Sequence, residues 1–146
     1  MSYNFKSSTA RKIQKEDFSL LDFFTPNETE AEFYLNKKIE TKEDIQNAAK
    51  EFLSMGVKNI IITLGAKGVY FENEKENYFI EALSLKNEVI DTTGAGDAFN
   101  GALAVALAKD SNYKDAIIFA NKVGGISTTR LGAANSMPLL KEVAEY

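Results

Sequence analysis

The fold of this chain is constrained most by the run Lys58–Leu64, which has the sequence KNIIITL. Its central residues are apolar and β-branched, which favours a strand. Because apolar residues do not alternate with polar ones, the pattern is typical of a strand covered on both faces, as in a parallel sheet. Helical patterns lie on both sides of the run. Strands that alternate with helices predict an α/β domain with a mostly parallel sheet.

Two helices are predicted upstream of this strand. The first has Asn27 as its N-cap and continues through Leu35, and Glu30, three residues after the cap, can complete a capping box. The second begins at Thr41 and ends at Gly56. Its apolar residues recur at the spacing of one helical face, and they are Ile45, Ala48, Ala49, Phe52 and Leu53.

The segment downstream of the strand predicts further strands. Gly65 and Gly68 indicate a turn. The runs Val69–Phe71 and Asn77–Ile80 then predict a β-hairpin. Val89-Ile90 is interpreted as the end of another strand, because both residues are β-branched.

Three more helices are predicted in the last third of the chain. The first spans Ala98–Lys109, and the second opens at Asn112 and continues to about Val123. The third begins near Ser136 as N-cap, with Pro138 in its first turn.

Length and composition bound the possible functions. The 146 residues fit one domain, predicted as a junction or poorly ordered segment at 1–12 and a folded part at 13–146. Glu16–Phe24 fits either a helix or a strand.

Cys and His are both absent, so disulfides, thiolate metal sites and imidazole chemistry are excluded. The net charge of −4 argues against nucleic-acid binding. No apolar run is long enough to span a membrane and no signal core is present, which favours the cytoplasm.

The segment Asp91–Gly101, DTTGAGDAFNG, carries the clearest chemistry. Two glycines followed at once by a helix start predict an anion cradle, because the free N–H groups and the helix dipole both favour a phosphate. Asp97 lies in the first turn of that helix. A carboxylate there suits a base that takes a proton from an alcohol attacking phosphorus. Gly101 and Ala102 are predicted to let the helix pack closely on the sheet.

Other interpretations of this segment stay open. Asp97 can be a structural first-turn acid that interacts only with the helix dipole. The dinucleotide pattern GxGxxG would need glycine where the chain has Phe99, and no GxxxxGK[ST] sequence occurs.

The segment DTTGAGDAFNGAL resembles the signature of the ribokinase-like sugar kinases, the PfkB carbohydrate kinase family. TPNETEAE at 25–32, IITLGAKGVY at 61–70 and STTRLGAANSMP at 127–138 resemble other segments of that family, in the same order. The resemblance implies the C-terminal portion of a ribokinase-like three-layer α/β sandwich. It also implies ATP-dependent phosphorylation of a sugar's primary hydroxyl, with ribose converted to ribose 5-phosphate.

The resemblance assigns roles residue by residue. Asp97 is implied as the catalytic base, and the amides of Gly94, Ala95, Gly96 and Asp97 as the anion hole. ATP contacts are implied for Asn27, Thr63, Gly65, Lys67, Gly68, Gly96 and Asn121. Asn27 and Glu30 are implied to place Mg²⁺ through water.

Each of these assigned roles has an alternative in which the residue is only structural. Asn27 and Glu30 can form only a capping box, and the Thr63–Gly68 segment can be an ordinary connection. Lys67 can be a solvated turn lysine, and Asn121 a polar helix residue.

A potassium site is also implied by the resemblance. Its residues are Asp91, Thr93, Ser127, Arg130, Gly132 and Ser136, several of them acting through backbone carbonyls. The alternative for Asp91 is a turn-forming aspartate.

The match covers only part of the family's length. The family's upstream half, which carries most sugar contacts, has no counterpart here, and Asn4–Thr9 departs from the family's pattern. We therefore expect a truncated kinase with little activity alone, which either forms a homodimer or associates with the missing N-terminal half. A non-catalytic nucleotide-binding or interaction module is the alternative, as is a fructose, 2-keto-3-deoxygluconate or nucleoside kinase.

Overall fold

The structure is a computed structural model that describes residues 5–6 and 13–146. The chain divides into two compact units, Met1–Glu81 and Ala82–Tyr146, which we call the sheet unit and the helical unit. The junction segment predicted at residues 1–12 lies outside the described residues, except for Phe5–Lys6, which form strand β1. The domain assignment to residues 13–146 therefore stays a prediction.

The sheet unit contains a five-stranded sheet in the order β1-β2-β3-β4-β5. Its strands are β1 (Phe5–Lys6), β2 (Phe23–Phe24), β3 (Asn59–Thr63), β4 (Val69–Asn73) and β5 (Asn77–Ile80). Strands β1, β2 and β3 are parallel to one another. In the predicted hairpin, β4 pairs antiparallel with β5, and β4 also pairs antiparallel with β3. The sheet is thus parallel at its start and mixed as a whole. The segment that fitted either helix or strand contains both, with a 3-10 helix at Lys15–Leu20 followed by β2.

Two helices of the sheet unit, α1 (Glu28–Leu35) and α2 (Lys42–Ser54), contribute to its core. Four of the five apolar α2 residues predicted to share one face are buried, and Leu53 packs against them. The Phe24 and Phe52 rings meet edge to face at 5.1 Å. All three isoleucines of β3 are fully buried. This burial confirms the strand covered on both faces that the apolar run predicted.

The helical unit consists of α3 (Ala95–Ala108), α4 (Tyr113–Ser127) and α5 (Leu140–Val143). Helices α3 and α4 pack against each other. They approach closely at Gly124, where an added Cβ would lie 3.3 Å from the Ala95 carbonyl oxygen. Of the two residues predicted to let α3 pack closely, Ala102 is buried. Gly101 is exposed and a Cβ there would meet no atom within 4 Å, so the prediction is wrong for Gly101. No helix in residues 5–6 and 13–146 combines the length and apolar character of a membrane span.

Several elements of the helical unit differ from the sequence predictions. Val89-Ile90 does not end a strand, since the Ile90 N–H donates to the Thr128 carbonyl of a loop at 2.8 Å. Helix α3 begins at Ala95 rather than Ala98, with Gly94 as its N-cap and Gly96 within its first turn. Helix α4 continues past Val123 to its end at Ser127.

The last helix also starts later than predicted. Leu139 is the N-cap of α5, whereas Ser136 lies in a 3-10 turn and Pro138 precedes the helix. The Ser136 hydroxyl donates to the Ala133 carbonyl at 2.7 Å. The hydroxyl is therefore used within its own turn instead of capping a helix.

Candidate active site

The start of α3 requires glycine at position 94. Gly94 is the N-cap and has a φ of 78°, a backbone conformation that side chains disfavour. A Cβ at Gly94 would also lie 2.8 Å from the Cβ of Ala133 and 2.9 Å from its Cα. Glycine therefore permits both the turn into α3 and the close approach of the later loop.

The first turn of α3 presents unpaired amides. The Ala95 N–H, predicted as an anion-hole donor, instead donates to the Thr92 carbonyl at 3.2 Å. In the part of the chain that the structure describes, the N–H groups of Gly94, Gly96 and Asp97 have no acceptor. These N–H groups lie at the positive end of the helix dipole, so they can bind an anion.

The Asp97 side chain is exposed and belongs to the same turn. Among residues 5–6 and 13–146, its carboxylate has no hydrogen-bond or ion-pair partner. The carboxylate therefore accepts no backbone N–H as a cap would, and it remains accessible next to the free amides.

Asp91 links the loop before α3 to the loop after α4. Its Oδ1 accepts the Thr93 N–H at 2.8 Å, and its Oδ2 accepts the Gly132 N–H at 2.9 Å. The Thr128 carbonyl accepts the N–H groups of both Ile90 and Asp91. Hydrogen bonds from the Thr93 side chain, and then from the Gly132 amide, lower the pKa of Asp91. Asp91 therefore stabilises a turn through its side chain, as its alternative interpretation predicts.

The lowered pKa of Asp91 predicts a pH-dependent contribution to stability. Because the folded state favours the ionised form, the contribution is complete above the unfolded pKa of about 4 and is lost as pH falls through the folded pKa. We expect Asp91→Asn to lower the melting temperature at pH 7, with a difference from wild type that shrinks towards pH 2. Thermal unfolding of both proteins between pH 2 and pH 7 measures this difference. A difference that is constant with pH would contradict the prediction.

Three other residues of the predicted potassium site use their side chains within the protein. The hydroxyls of Ser127 and Ser136 each donate to the carbonyl three residues upstream at 2.7 Å. The Arg130 guanidinium forms an ion pair with Glu142 at 2.7 Å. A potassium ion would thus depend on backbone carbonyls, and this site stays a prediction.

In the sheet unit, predicted site residues gather at the carboxyl ends of β2 and β3. Asn27 forms an isolated parallel bridge with Thr63, in the register of the β2–β3 pair. The Thr63 N–H donates to the Pro26 carbonyl at 2.9 Å. Ligands of open α/β sheets bind at this end of parallel strands.

The capping box predicted at the start of α1 is present. Asn27 Oδ1 accepts the Glu30 N–H at 2.8 Å, and Glu30 Oε2 accepts the Asn27 N–H at 3.0 Å. Within the described residues, Glu30 Oε1 has no partner. One carboxylate oxygen therefore stays available for a hydrated cation, which fits the water-mediated Mg²⁺ role.

The turn after β3 contains the remaining predicted nucleotide residues of the sheet unit. Gly65–Lys67 form a 3-10 helix, closed by the Gly68 N–H donating to the Gly65 carbonyl. The Lys67 ammonium is exposed and pairs with the Glu28 carboxylate at 3.3 Å. Glu28 is thus a neighbour of this turn that the sequence did not reveal.

Each unit gathers its own set of predicted residues. The sheet unit holds the Asn27–Glu30 cap beside Thr63 and the Gly65–Gly68 turn, and the helical unit holds Asp91–Asp97. Asn121 lies half-buried on α4. Two residues that contact the segment leading into α3 were not among the predicted site residues, namely Thr128 and Ala133. The small side chain of Ala133 is the one signal for its contact with Gly94, and it is recognisable only once the two loops are adjacent.

Comparison with known proteins identifies the family. The profile of the pfkB family carbohydrate kinases matches residues 4–140. The chain belongs to this family. The pfkB match includes the Asp91–Asp97 loop, the capped start of α1 and the turn after β3, so the geometry described above belongs to the family's domain.

Ribokinases are among the similar pfkB proteins. The chain is 42% identical to the ribokinase of Staphylococcus aureus over 135 residues, which cover 92% of this chain and 44% of that protein. The ribokinase structure from Thermotoga maritima superposes with a TM-score of 0.85 at 40% identity, covering 97% of this chain and 47% of the other.

The Arabidopsis thaliana ribokinase structure, in complex with ribose and ATP, superposes with a TM-score of 0.89 at 29% identity, covering 97% of this chain and 46% of that one. These matches confirm the ribokinase-like α/β fold. The chain spans less than half the length of these relatives and corresponds to their C-terminal part.

Proposed function

We propose that this chain supplies the ATP site and the general base of a kinase that phosphorylates the primary hydroxyl of a sugar, with ribose as the first candidate. The observation that carries the proposal is the exposed Asp97 carboxylate beside the unpaired amides of Gly94, Gly96 and Asp97. The ribokinase relatives favour ribose, and the Arabidopsis structure contains both ribose and ATP.

In the proposed reaction, the sugar's hydroxyl oxygen attacks the γ-phosphorus of ATP. Asp97 accepts the hydroxyl proton, the bond to the β–γ bridging oxygen breaks, and ADP leaves. The free amides at the start of α3 stabilise the charge on the transferring group, each by about 3–4 kcal/mol where the site is preorganised. Bound Mg²⁺ would neutralise phosphate charge, and Asn27 and Glu30 would hold it through water.

Isothermal titration calorimetry with Mg-ATP tests the nucleotide site on the chain as it stands. We expect one site per chain. Absence of binding at millimolar ATP would overturn the proposal.

The metal role of Glu30 is separable from its capping role by a conservative substitution. In Glu30→Gln, the side-chain oxygen still accepts the Asn27 N–H, so α1 keeps its cap. We expect a several-fold loss of affinity for Mg-ATP and little change for ATP in EDTA, because the negative charge near the metal is removed. Calorimetry measures both affinities, and thermal unfolding checks the cap. Equal losses with and without Mg²⁺ would contradict the metal role.

A second candidate is a nucleotide-binding module that does not catalyse. It is favoured by the chain's coverage of less than half of its relatives, since phosphoryl transfer needs an oriented alcohol. Under this candidate, Mg-ATP binds, but no sugar stimulates ADP release under any condition. A deoxyribose substrate is a variant of the first proposal, because the chain is 33% identical over 125 residues to the deoxyribokinase of Salmonella typhi.

A further inference from the structure

An exposed ion pair lies at each end of β3 in the sheet unit. Lys67, in the turn after β3, pairs with the Glu28 carboxylate at 3.3 Å, and the lysine side chain is 70% exposed. Lys58, just before β3, pairs with Asp22 at 2.7 Å. The five residues of β3 span about 13 Å along the strand. The two pairs therefore have the same chemistry at opposite ends of one strand.

The Lys67–Glu28 pair lies at the end of the sheet that we propose to bind ATP. Asn27 bridges Thr63 in the register of β2 and β3, so Glu28 and the turn after β3 are neighbours at the carboxyl ends of these strands. Ligands of open α/β sheets bind at this end, and lysine binds phosphate as a point charge on a flexible stem. Lys67 is thus placed to bind a phosphate, but its ammonium is held by a carboxylate.

The Lys67–Glu28 pair can open at little cost. An exposed ion pair contributes little to stability, because water solvates both charges and side-chain entropy opposes the contact. Glu28 keeps a favourable position without the lysine, since it is the first residue of α1 and lies at the positive end of the helix dipole. A nucleotide phosphate, which carries more negative charge than a carboxylate, can therefore bind the ammonium in place of Glu28.

We propose that Glu28 competes with the phosphates of bound ATP for the Lys67 ammonium. The inference rests on the proposed ATP site and adds to it a residue that lowers the affinity of that site. Binding exchanges one contact for another: the hydrogen bond from Lys67 Nζ to Glu28 breaks, and a hydrogen bond from Lys67 Nζ to a phosphate oxygen forms. The chain therefore binds ATP more weakly than it would without the Glu28 carboxylate.

Isothermal titration calorimetry of a double-mutant cycle tests this exchange. We expect Glu28→Gln to bind Mg-ATP about fivefold more tightly than wild type, because the competitor is removed while the side chain keeps its size. Lys67→Gln should lower the affinity by about threefold or more, because the contact with phosphate is lost. In the Lys67→Gln background, Glu28→Gln should change the affinity by less than about twofold, since no ammonium is left to compete for.

Asp22→Asn is the matched control, since it removes the same charge from the exposed ion pair at the other end of β3. The length of β3, about 13 Å, exceeds the Debye length of about 8 Å at physiological salt. We therefore expect the control to bind Mg-ATP as wild type does. Circular dichroism checks that all variants fold.

An affinity of Glu28→Gln equal to or below that of wild type would overturn the inference, because loss of a purely structural ion pair gives no gain in binding. Equal gains from Glu28→Gln in both backgrounds would also overturn it, since Glu28 would then act by its charge alone. Either result leaves Mg-ATP binding by wild type, and hence the proposed site, intact. If no variant bound Mg-ATP, the proposed nucleotide site itself would be wrong, and this inference with it.

Discussion

Asp97→Asn is expected to reduce ribose-dependent ADP release by about 10²–10⁴-fold, the range that a positioned general base contributes. Asparagine keeps the size of the side chain but cannot accept the hydroxyl proton. Binding of Mg-ATP should be unchanged or slightly tighter, because the substitution removes a negative charge beside the phosphate site. This separation of turnover from binding distinguishes a catalytic base from a structural residue.

The assay adds the separately produced part of the Staphylococcus aureus ribokinase that precedes its matched region, because we expect the chain alone to show little or no sugar kinase activity. Coupled ADP-release assays give turnover, and calorimetry gives the affinity for Mg-ATP. Asp110→Asn is the matched control, since Asp110 follows α3 at its other end and is also exposed. Its φ of 60° is one that asparagine tolerates. Turnover by Asp97→Asn within threefold of the control would rule out Asp97 as the base.

Gly94→Ala is expected to lower the free energy of unfolding by about 2–6 kcal/mol. The positive φ of Gly94 costs a side-chain-bearing residue about 1–3 kcal/mol. The new Cβ would also lie 2.8–2.9 Å from two atoms of Ala133, and overpacking of this kind costs about 1–3 kcal/mol. Because one of those atoms belongs to the Ala133 backbone, relief requires the later loop to move.

Gly96→Ala provides the comparison two residues along the chain. A Cβ at Gly96 would meet no atom within 4 Å, and its φ is not positive. We expect its stability to equal or slightly exceed that of wild type, because alanine favours helix. Urea unfolding followed by circular dichroism measures both variants. If Gly94→Ala were as stable as Gly96→Ala, the close contact between Gly94 and Ala133 would be disproved.

The parts of the fold that depend on local chemistry were predictable from sequence. The caps at Asn27, Thr41 and Asn112 were found because each side chain bonds a backbone N–H three residues away. Strand β3 was found because its burial needs only a run of apolar β-branched residues. The Gly94–Gly96 turn at a helix start was recognisable for the same local reason.

The parts that depend on distant contacts were not predictable in this way. Val89-Ile90 has the composition of a strand, but a strand forms only where a neighbour pairs with it. Ser136 has the residue type of a cap, yet its hydroxyl bonds within its own turn. The contact between Gly94 and Ala133 joins two loops far apart along the chain, so no local pattern encodes it.

The carboxylate of Glu142 illustrates how widely the proposed chemistry depends on the rest of the helical unit. Glu142 binds Arg130, Arg130 belongs to the loop that holds Asp91, and Asp91 orients the turn that precedes Asp97. A random search for inactivating substitutions should therefore find hits at Glu142 and Arg130, neither of which needs to contact a ligand. Such hits would lower turnover by displacing the start of α3, and suppressor substitutions for them are to be sought in the same two loops.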